Sequence, residues 1–451
     1  MRILSGFPIV ESNPVEHAAA LPERADVVIV GGGVIGVMTA YFLARKGRRV
    51  VLLEKGRIAG EQSSRNWGWV RQTGRDAAEL PVMVEANRLW PQLQRETNED
   101  LGLEQSGLTY LAASQSKLAE YEEFIPLARM NGVDSRMLSG AEVAAMMPTA
   151  TRRYAGALHT PSDYRAEPWI AVPGLARAAV RAGALIRENC AVRGLDIAAG
   201  QIAGVISEAG RVAADQVLVA GGAWSSLLLR RHGVKIPQLS VKNTVLATEP
   251  VADVYGGGAA DDILAFRRRK DGGYTLAPEG FHEFYLGPDA LRATRPFLRA
   301  FLRDPIGRSY WPAAPAGFPD GWTQSRRWSM EDASPFERMR ILNPAPHAKT
   351  LRKLLADFQV LFPQLGAVRM QAAWAGMIDV MPDVVPIVDE VPDVPGLWIG
   401  TGMSGHGFGI GPAFGRILAD LMSGGEAGHD MERFRFGRFT DGSKLVIGPG
   451  M

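Results

Sequence analysis

Apolar residues run unbroken through Val27-Val28-Ile29-Val30 and stop at Gly31-Gly32-Gly33, the pattern of a strand covered on both faces. Residues 37–46 then read as a helix that Gly47 ends, and Arg49 to Leu53 read as a second apolar strand. Glu54 closes that strand, eighteen residues after Gly36. A strand, a Gly31-x-Gly33-x-x-Gly36 turn, a helix and a strand ending in an acid form the frame of a dinucleotide site. Glycine lets the backbone approach a pyrophosphate, Gly36 allows close packing of the helix, and the helix N-terminus offers free N–H groups to the phosphates. The carboxylate of Glu54 is placed to accept hydrogen bonds from a ribose diol.

The pattern continues in blocks. Residues 1–24 read as an irregular lead-in, and residues from about 76 to 147 read as mostly helical around a short strand at Leu108 to Ala112. A second nucleotide-domain block follows from about 150 to 235. It holds a helix over Pro168–Ala182, a strand over Ala184–Arg187, a hairpin of Val192 to Ile197 with Gln201 to Ser207, and an apolar strand from Asp215 to Ala220. Residues 236–365 differ, with alternating strands at Val241 to Thr248 and Gly273 to Ala277 among prolines, aromatics and basic clusters. Strand–glycine loop–helix order returns between 370 and 425, where Leu397-Trp398-Ile399-Gly400 enters a glycine-rich turn and a helix is expected from about 411 to 422. Separated blocks of one character interleaved with another predict a discontinuous architecture. One domain is assigned to 1–90, 150–235 and 366–451, and the other to 91–149 and 236–365.

At 451 residues the chain is long enough for two such regions. Lys and Arg number 50 against 48 Asp and Glu, a balance that gives no reason to expect nucleic acid as a partner. The single cysteine, Cys190, rules out an intrachain disulfide and a cysteine-based metal cluster, and no metal is expected. No stretch approaches the ~18 apolar residues of a membrane helix, and the first eight residues lack a signal-peptide core. A soluble, cytoplasmic protein without a membrane partner is the expectation.

Two further glycine-rich turns end apolar strands: Gly221-Gly222-Ala223-Trp224 after Val219-Ala220, and Thr401-Gly402-Met403-Ser404-Gly405-His406-Gly407-Phe408-Gly409 after Ile399-Gly400. In an open α/β sheet, ligands bind beyond the carboxyl ends of the strands, so all three turns are placed to line one crevice. A cofactor with a long dinucleotide body and a broad ring system would touch all three. FAD fits that better than NAD.

The segments VVIVGGGVIGVMTAYFLARKGRRVVLLEKG, GEQSSRNWGWVRQ, VLVAGGAWS, WAGMIDVMPDVVPIV and GLWIGTGMSGHGFGIGPAFG occur in this order. Their succession resembles the FAD-dependent D-amino acid oxidase superfamily, which includes glycine and sarcosine oxidases. GEQSSR, CAVRG, AFRRRKDGGYTLAP and MERFRFGRF are most similar to bacterial L-amino acid deaminases and soluble L-amino acid oxidases. The resemblance implies an α/β fold with an α+β second region: a Rossmann-like FAD-binding domain and an interleaved substrate domain built on an antiparallel sheet. It places Gly31, Gly33, Val34, Ile35 and Gly36 at the pyrophosphate, Glu54 and Lys55 at the adenosine, and Val192 near the adenine. Ser63, Ser64, Arg65, Asn66, Trp67 and Gly68 would run beside the flavin. Ala220, Gly221 and Trp224 form the second contact, and Met403, Gly405, His406, Gly407 and Gly409 line the pyrimidine end. There the following helix would stabilise anionic reduced flavin. FAD is expected to be non-covalent, because no cysteine follows residue 190 and the 61–72 loop contains no histidine.

An amino acid substrate brings an α-carboxylate, which a bidentate arginine holds best. Arg267, in Phe266-Arg267-Arg268-Arg269-Lys270, matches the carboxylate arginine of the L-amino acid deaminases, although a run of four basic residues is ordinarily a solvated turn. Arg71 and Gln72 are placed to reach the same cavity, with structural pairing of Arg71 as the alternative. Trp374 is either a wall of the side-chain pocket or an ordinary core tryptophan. Met377-Ile378 follow Gly376 where many superfamily members carry an arginine, which excludes a carboxylate clamp there. The expected reaction is oxidation of an L-amino acid to a 2-oxo acid, ammonia and hydrogen peroxide, with dioxygen as acceptor. A D-amino acid, hydroxyproline or secondary amine is the alternative substrate, and a homo-oligomer is possible.

Overall fold

The computed structural model describes residues 7–303 and 309–448. The first six residues, part of the lead-in and of the assigned 1–90 segment, and the last three of the 366–451 segment lie outside them.

The apolar run at residue 27 is the centre of an eight-stranded sheet. Arg24–Val30 pairs in parallel with Val50–Leu53 on one side and with Gly210–Val219 on the other, and Val50–Leu53 pairs in parallel with Leu185–Arg187. The far edge of Gly210–Val219 is divided between two partners. Its start closes an antiparallel ladder with Gln201–Ser207, while Val217 to Val219 pairs in parallel with Leu397 to Ile399. The ends of Arg24–Val30, Gly210–Val219 and Leu397–Thr401 therefore sit side by side, and each runs straight into a glycine-rich turn. The helices Val34–Arg45, Pro168–Arg181 and Gly407–Leu421 cover the sheet through residues such as Val37, Leu175 and Phe414, all fully buried.

A second, ten-stranded sheet is mostly antiparallel and is centred on Leu239–Thr248, which pairs with Met370–Val380 along its whole length. Its far half recruits Leu108–Ala112, Gly156–Thr160 and Arg136–Ser139. Two strands thus fall on the other side of the sequence-based division. Gly156–Thr160 and Met370–Val380 lie inside segments assigned to the nucleotide domain but hydrogen-bond into the second sheet. Pairing across the sheet, which no local pattern announces, decides their membership. The last helix also starts earlier than expected, at Gly407 rather than near 411, because Gly407, Gly409 and Gly411 all take helical conformation. Its N-terminus consequently lies within the third glycine turn.

Candidate active site

The three turns interlock through missing side chains. Gly31 has φ +113°, and a Cβ there would stand 2.5 Å from the Ala220 carbonyl oxygen, so the first two turns touch backbone to backbone. A Cβ on Gly36 would lie 2.1 Å from the Gly31 oxygen, which fixes how closely the Val34–Arg45 helix approaches its own turn. Gly33 is different, since the nearest atom to its Cβ position is the Ser63 hydroxyl at 3.2 Å. A cavity of about 970 Å³ opens against these turns. It is lined by Gly31, Gly33, Val34, Ile35, Glu54, Lys55, Ser63, Arg65, Asn66, Trp67, Val192, Ala220, Gly221, Trp224, Met403, Gly405, His406, Gly407 and Gly409, the great majority of the expected cofactor contacts.

Three expected contacts do not line it. Gly36 packs behind the turn. Ser64 is fully buried and accepts a hydrogen bond from the Ile9 amide at 3.3 Å. Gly68 passes over Ala166 and the Arg267 guanidinium, at distances a Cβ would reduce to 2.4 and 2.9 Å. Arg65 lines the cavity, but its guanidinium donates to Asn343 Oδ1 and to the carbonyls of Ala375, Gly60 and Ile9. It ties the loop to the second sheet, and burial draws its pKa down to about 10.

The cavity wall suits FAD chemically. The helices Val34–Arg45 and Gly407–Leu421 both begin at this wall with no side-chain cap and no acidic residue in the first turn, which leaves two positive helix ends facing it. Glu54 is held by the amides of Gly32 and Gly56, both at 2.7 Å, and each oxygen keeps a lone pair for a diol. Lys55 is held by Glu61 at 2.6 Å and lies 4.4 Å from the centre of the Trp224 ring, whose indole N–H donates to the same carboxylate. Two further lining groups, the Ser225 hydroxyl and Asp379 Oδ1, are buried without a hydrogen-bond partner among the described residues. Polar atoms left so in a native interior mark places that a ligand completes.

At the third turn His406 Nδ1 is 2.8 Å from Glu79 Oε2, and Arg75 approaches the same carboxylate at 3.4 Å. Burial, reinforced by Arg75 and outweighing the pull of Glu79, lowers the His406 pKa to about 4. Burial would raise Glu79, yet His406 and Arg75 together hold it below the ordinary carboxylate range. At neutral pH the imidazole is therefore uncharged and donates through Nδ1–H to an ionised Glu79. Glu79 and Arg75 were invisible to sequence reasoning. Glu79 lies in a stretch read only as helical and Arg75 just before it, and nothing local ties either to a residue more than 300 positions away.

The substrate-side expectations are corrected in three places. Arg267 is fully buried and does not line the cavity. It sits in the strand Leu264–Arg268, forms a bidentate pair with Glu167 at 3.0 and 3.1 Å, and donates to the Trp67 carbonyl at 2.6 Å. The basic run is not a solvated turn throughout either: Arg269 is also buried, among the carbonyls of Thr248 and Tyr274, while Lys270 is exposed. Gln72 faces away from the cavity and binds Asp163 and Ser162. Trp374 belongs to the core, with its N–H on the Arg65 carbonyl and its ring against Phe7 and Trp169.

Arg71 does line the cavity. It donates to the Thr73 carbonyl at 2.5 Å, lies 5.8 Å from the centre of the Tyr110 ring, and has no carboxylate partner among the described residues. A Cβ on Gly409 would lie 3.5 Å from its amide nitrogen, so Arg71 adjoins the third turn. Tyr110, Asn243, Glu279 and His282 also line the cavity and were not singled out from the sequence, as does Ile378, which stands after Gly376 where many superfamily members carry an arginine.

The chain belongs to the DAO family of FAD-dependent oxidoreductases, whose family description matches residues 26–421. It is 26% identical over 445 residues to human mitochondrial sarcosine dehydrogenase, covering 96% of this chain and 43% of that protein. The chain thus spans less than half the length of that relative. It is 26% identical to glycine oxidase of Geobacillus kaustophilus, covering 93% of this chain and 98% of the other. The structure of L-amino acid deaminase from Proteus myxofaciens in complex with anthranilate matches with a TM-score of 0.89 and 28% identity, over 96% of this chain and 97% of that one. Among the described residues, no helix is long and apolar enough to cross a membrane.

Proposed function

We propose that this protein is a flavin-dependent oxidase of L-amino acids, releasing a 2-oxo acid, ammonia and hydrogen peroxide. The observation that carries the reading is Arg71, a guanidinium with no carboxylate partner among the described residues, in the cavity beside the third glycine turn. Likeness to the deaminase structure supports the L-configuration.

When bound, FAD would supply the redox chemistry, hydride acceptance from Cα and two-electron reduction of dioxygen. The protein's part is binding and orientation. Gly31, Gly33 and the N-terminus of the Val34–Arg45 helix hold the pyrophosphate, Glu54 the ribose, and Val192 the adenine. Residues of the second and third turns would hold the flavin ring, and Cys190, buried and absent from the cavity wall, would offer it no thioether. Arg71 fixes the substrate carboxylate with two charge-assisted hydrogen bonds and so sets the direction of the Cα–H bond. Neutral His406, oriented by Glu79, presents a lone pair and not a charge at the pyrimidine end. Electrostatic support for a reduced flavin then falls to the uncapped Gly407–Leu421 helix. Water then hydrolyses the imino acid.

A peroxidase-coupled assay of the FAD-loaded protein against L- and D-amino acids tests this. Peroxide from L-substrates is expected. A signal confined to D-amino acids or to sarcosine overturns the substrate assignment.

A further inference from the structure

The cavity wall near Arg71 carries an acid that the reaction above does not use. Glu279 directly follows the strand Tyr274–Pro278 and lines the cavity. Its Oε2 is buried and has no hydrogen-bond partner among the described residues. A buried acceptor left unpaired is destabilising, so the position is one that a donor from a ligand would fill.

The charged groups around it define what kind of donor. Arg71 and Lys117 draw Glu279 toward ionisation, and Asp261 and Asp262 oppose it. The phenols of Tyr110 and Tyr121, both uncharged and raised by burial, complete its surroundings. Lys117 is already held by Glu120 at 2.8 Å, and Asp261 by Arg152 at 2.5 Å. Once a substrate carboxylate occupies Arg71, the acid left without a counter-charge is Glu279. Burial raises its pKa to about 7, so a cation beside it would bring it to the ionised form at neutral pH. Tyr121, Phe124, Leu127 and Leu158 line the same cavity and offer it apolar and aromatic surface, which suits the methylenes of a long side chain.

We propose that Glu279 receives a positively charged nitrogen at the end of the substrate's side chain, making the enzyme selective for basic amino acids. This rests on the amino acid oxidase reading with Arg71 as carboxylate anchor. Neutral side chains would leave Oε2 unpaired, and a side-chain carboxylate would set a second anion beside it.

The test compares the FAD-loaded wild type with Glu279→Gln, using L-lysine, L-norleucine and L-glutamate. Wild type is expected to show kcat/KM at least tenfold higher for lysine than for norleucine, with glutamate poorest, and the variant to lose that ratio through KM for lysine alone. Titration of the flavin spectrum with 6-aminohexanoate and hexanoate reads the same preference without turnover. If no amino acid is oxidised yet 6-aminohexanoate still binds more tightly in a Glu279-dependent way, the reaction reading fails and this inference stands. Equal binding of the two ligands by wild type, or equal loss of lysine and norleucine turnover in the variant, overturns it.

Discussion

Arg71 and Arg267 present the same guanidinium to opposite surroundings. Arg267 already has its carboxylate in Glu167, and both side chains are almost fully buried. Removing one partner of a buried pair leaves the other unpaired, at about 3–5 kcal/mol. Arg267→Ala is therefore expected to lower the unfolding midpoint sharply in denaturant titration. Arg71→Ala should leave that midpoint nearly unchanged and raise KM for the amino acid. Losing hydrogen bonds to a charged group, worth about 1.5–3 kcal/mol, corresponds to roughly 10–150-fold. A destabilised Arg71→Ala protein with unaltered KM would remove Arg71 from the site. His406 makes a second residue-scale expectation. Its folded pKa, about 4, lies below its ordinary 6.5, so the unfolded chain takes up the proton first as pH falls. Stability from this group is complete above 6.5 and is lost on descent toward 4, on the order of 3 kcal/mol in all. Asp163, raised to about 6 by burial, works in the opposite direction, so the raw pH profile mixes the two. The difference in unfolding free energy between wild type and His406→Asn, followed from pH 7.5 to 4.5, isolates the histidine. A difference that stays constant across that range would refute the neutral imidazole. The sequence pointed to Arg71 and to Arg267 alike. What separated them was alternation within a central strand, which turned Arg267 onto the face where Glu167 and Trp67 pack.

The turns were the most legible elements, because each is a local device whose glycines have local reasons. The strand-to-helix joint at 30–36 and the hairpin around Gly200 follow the sequence reading to within a few residues. The last helix was misplaced by four residues because three glycines in alternate positions read as loop, although tertiary contacts hold them helical. A Cβ on Gly411 would meet Val34, and one on Gly415 would meet Met38, so the two helices that point at the cavity pack through these glycines. Gly33→Ala and Gly36→Ala separate cofactor binding from folding at this scale. Gly33 has φ −74°, and the Ser63 hydroxyl, 3.2 Å from its Cβ position and able to give by a few tenths of an ångström, is the one atom within 4 Å, so alanine there should keep apoprotein stability within about 1 kcal/mol. The added methyl would stand where the phosphates approach, and FAD affinity should drop at least tenfold by fluorescence titration. Gly36→Ala should instead destabilise the apoprotein, because its methyl would collide with the Gly31 carbonyl. If Gly33→Ala binds FAD as tightly as wild type, the pyrophosphate lies elsewhere.

At the scale of the molecule, the interleaving that the sequence predicted in outline has a mechanical consequence. The first turn belongs to the opening 36 residues, the second follows Val219 and the third follows Thr401, yet one strand, Gly210–Val219, hydrogen-bonds to the strands that lead into both of the others. The membership of Gly156–Thr160 and Met370–Val380 was illegible because it is set by their partners in the second sheet, Leu108–Ala112 and Leu239–Thr248, which lie far off in sequence. A ligand that touches all three turns links segments separated by nearly four hundred residues, and it does so only in the folded chain. Binding the native state alone stabilises by RT ln(1 + [L]/Kd), about 4 kcal/mol at a thousandfold excess over Kd. FAD added to apoprotein should therefore raise the melting temperature in a concentration-dependent way. NAD, which carries a single nicotinamide ring in place of the broad flavin ring system, should raise it far less at equal concentration. The shift should also depend on the third turn, so that Gly407→Val, whose side chain would crowd Met403 at the cavity wall, loses most of it. Were FAD and NAD to stabilise equally, the cofactor would be engaging the first turn only, and the convergence of the three strand ends would have no part in holding it.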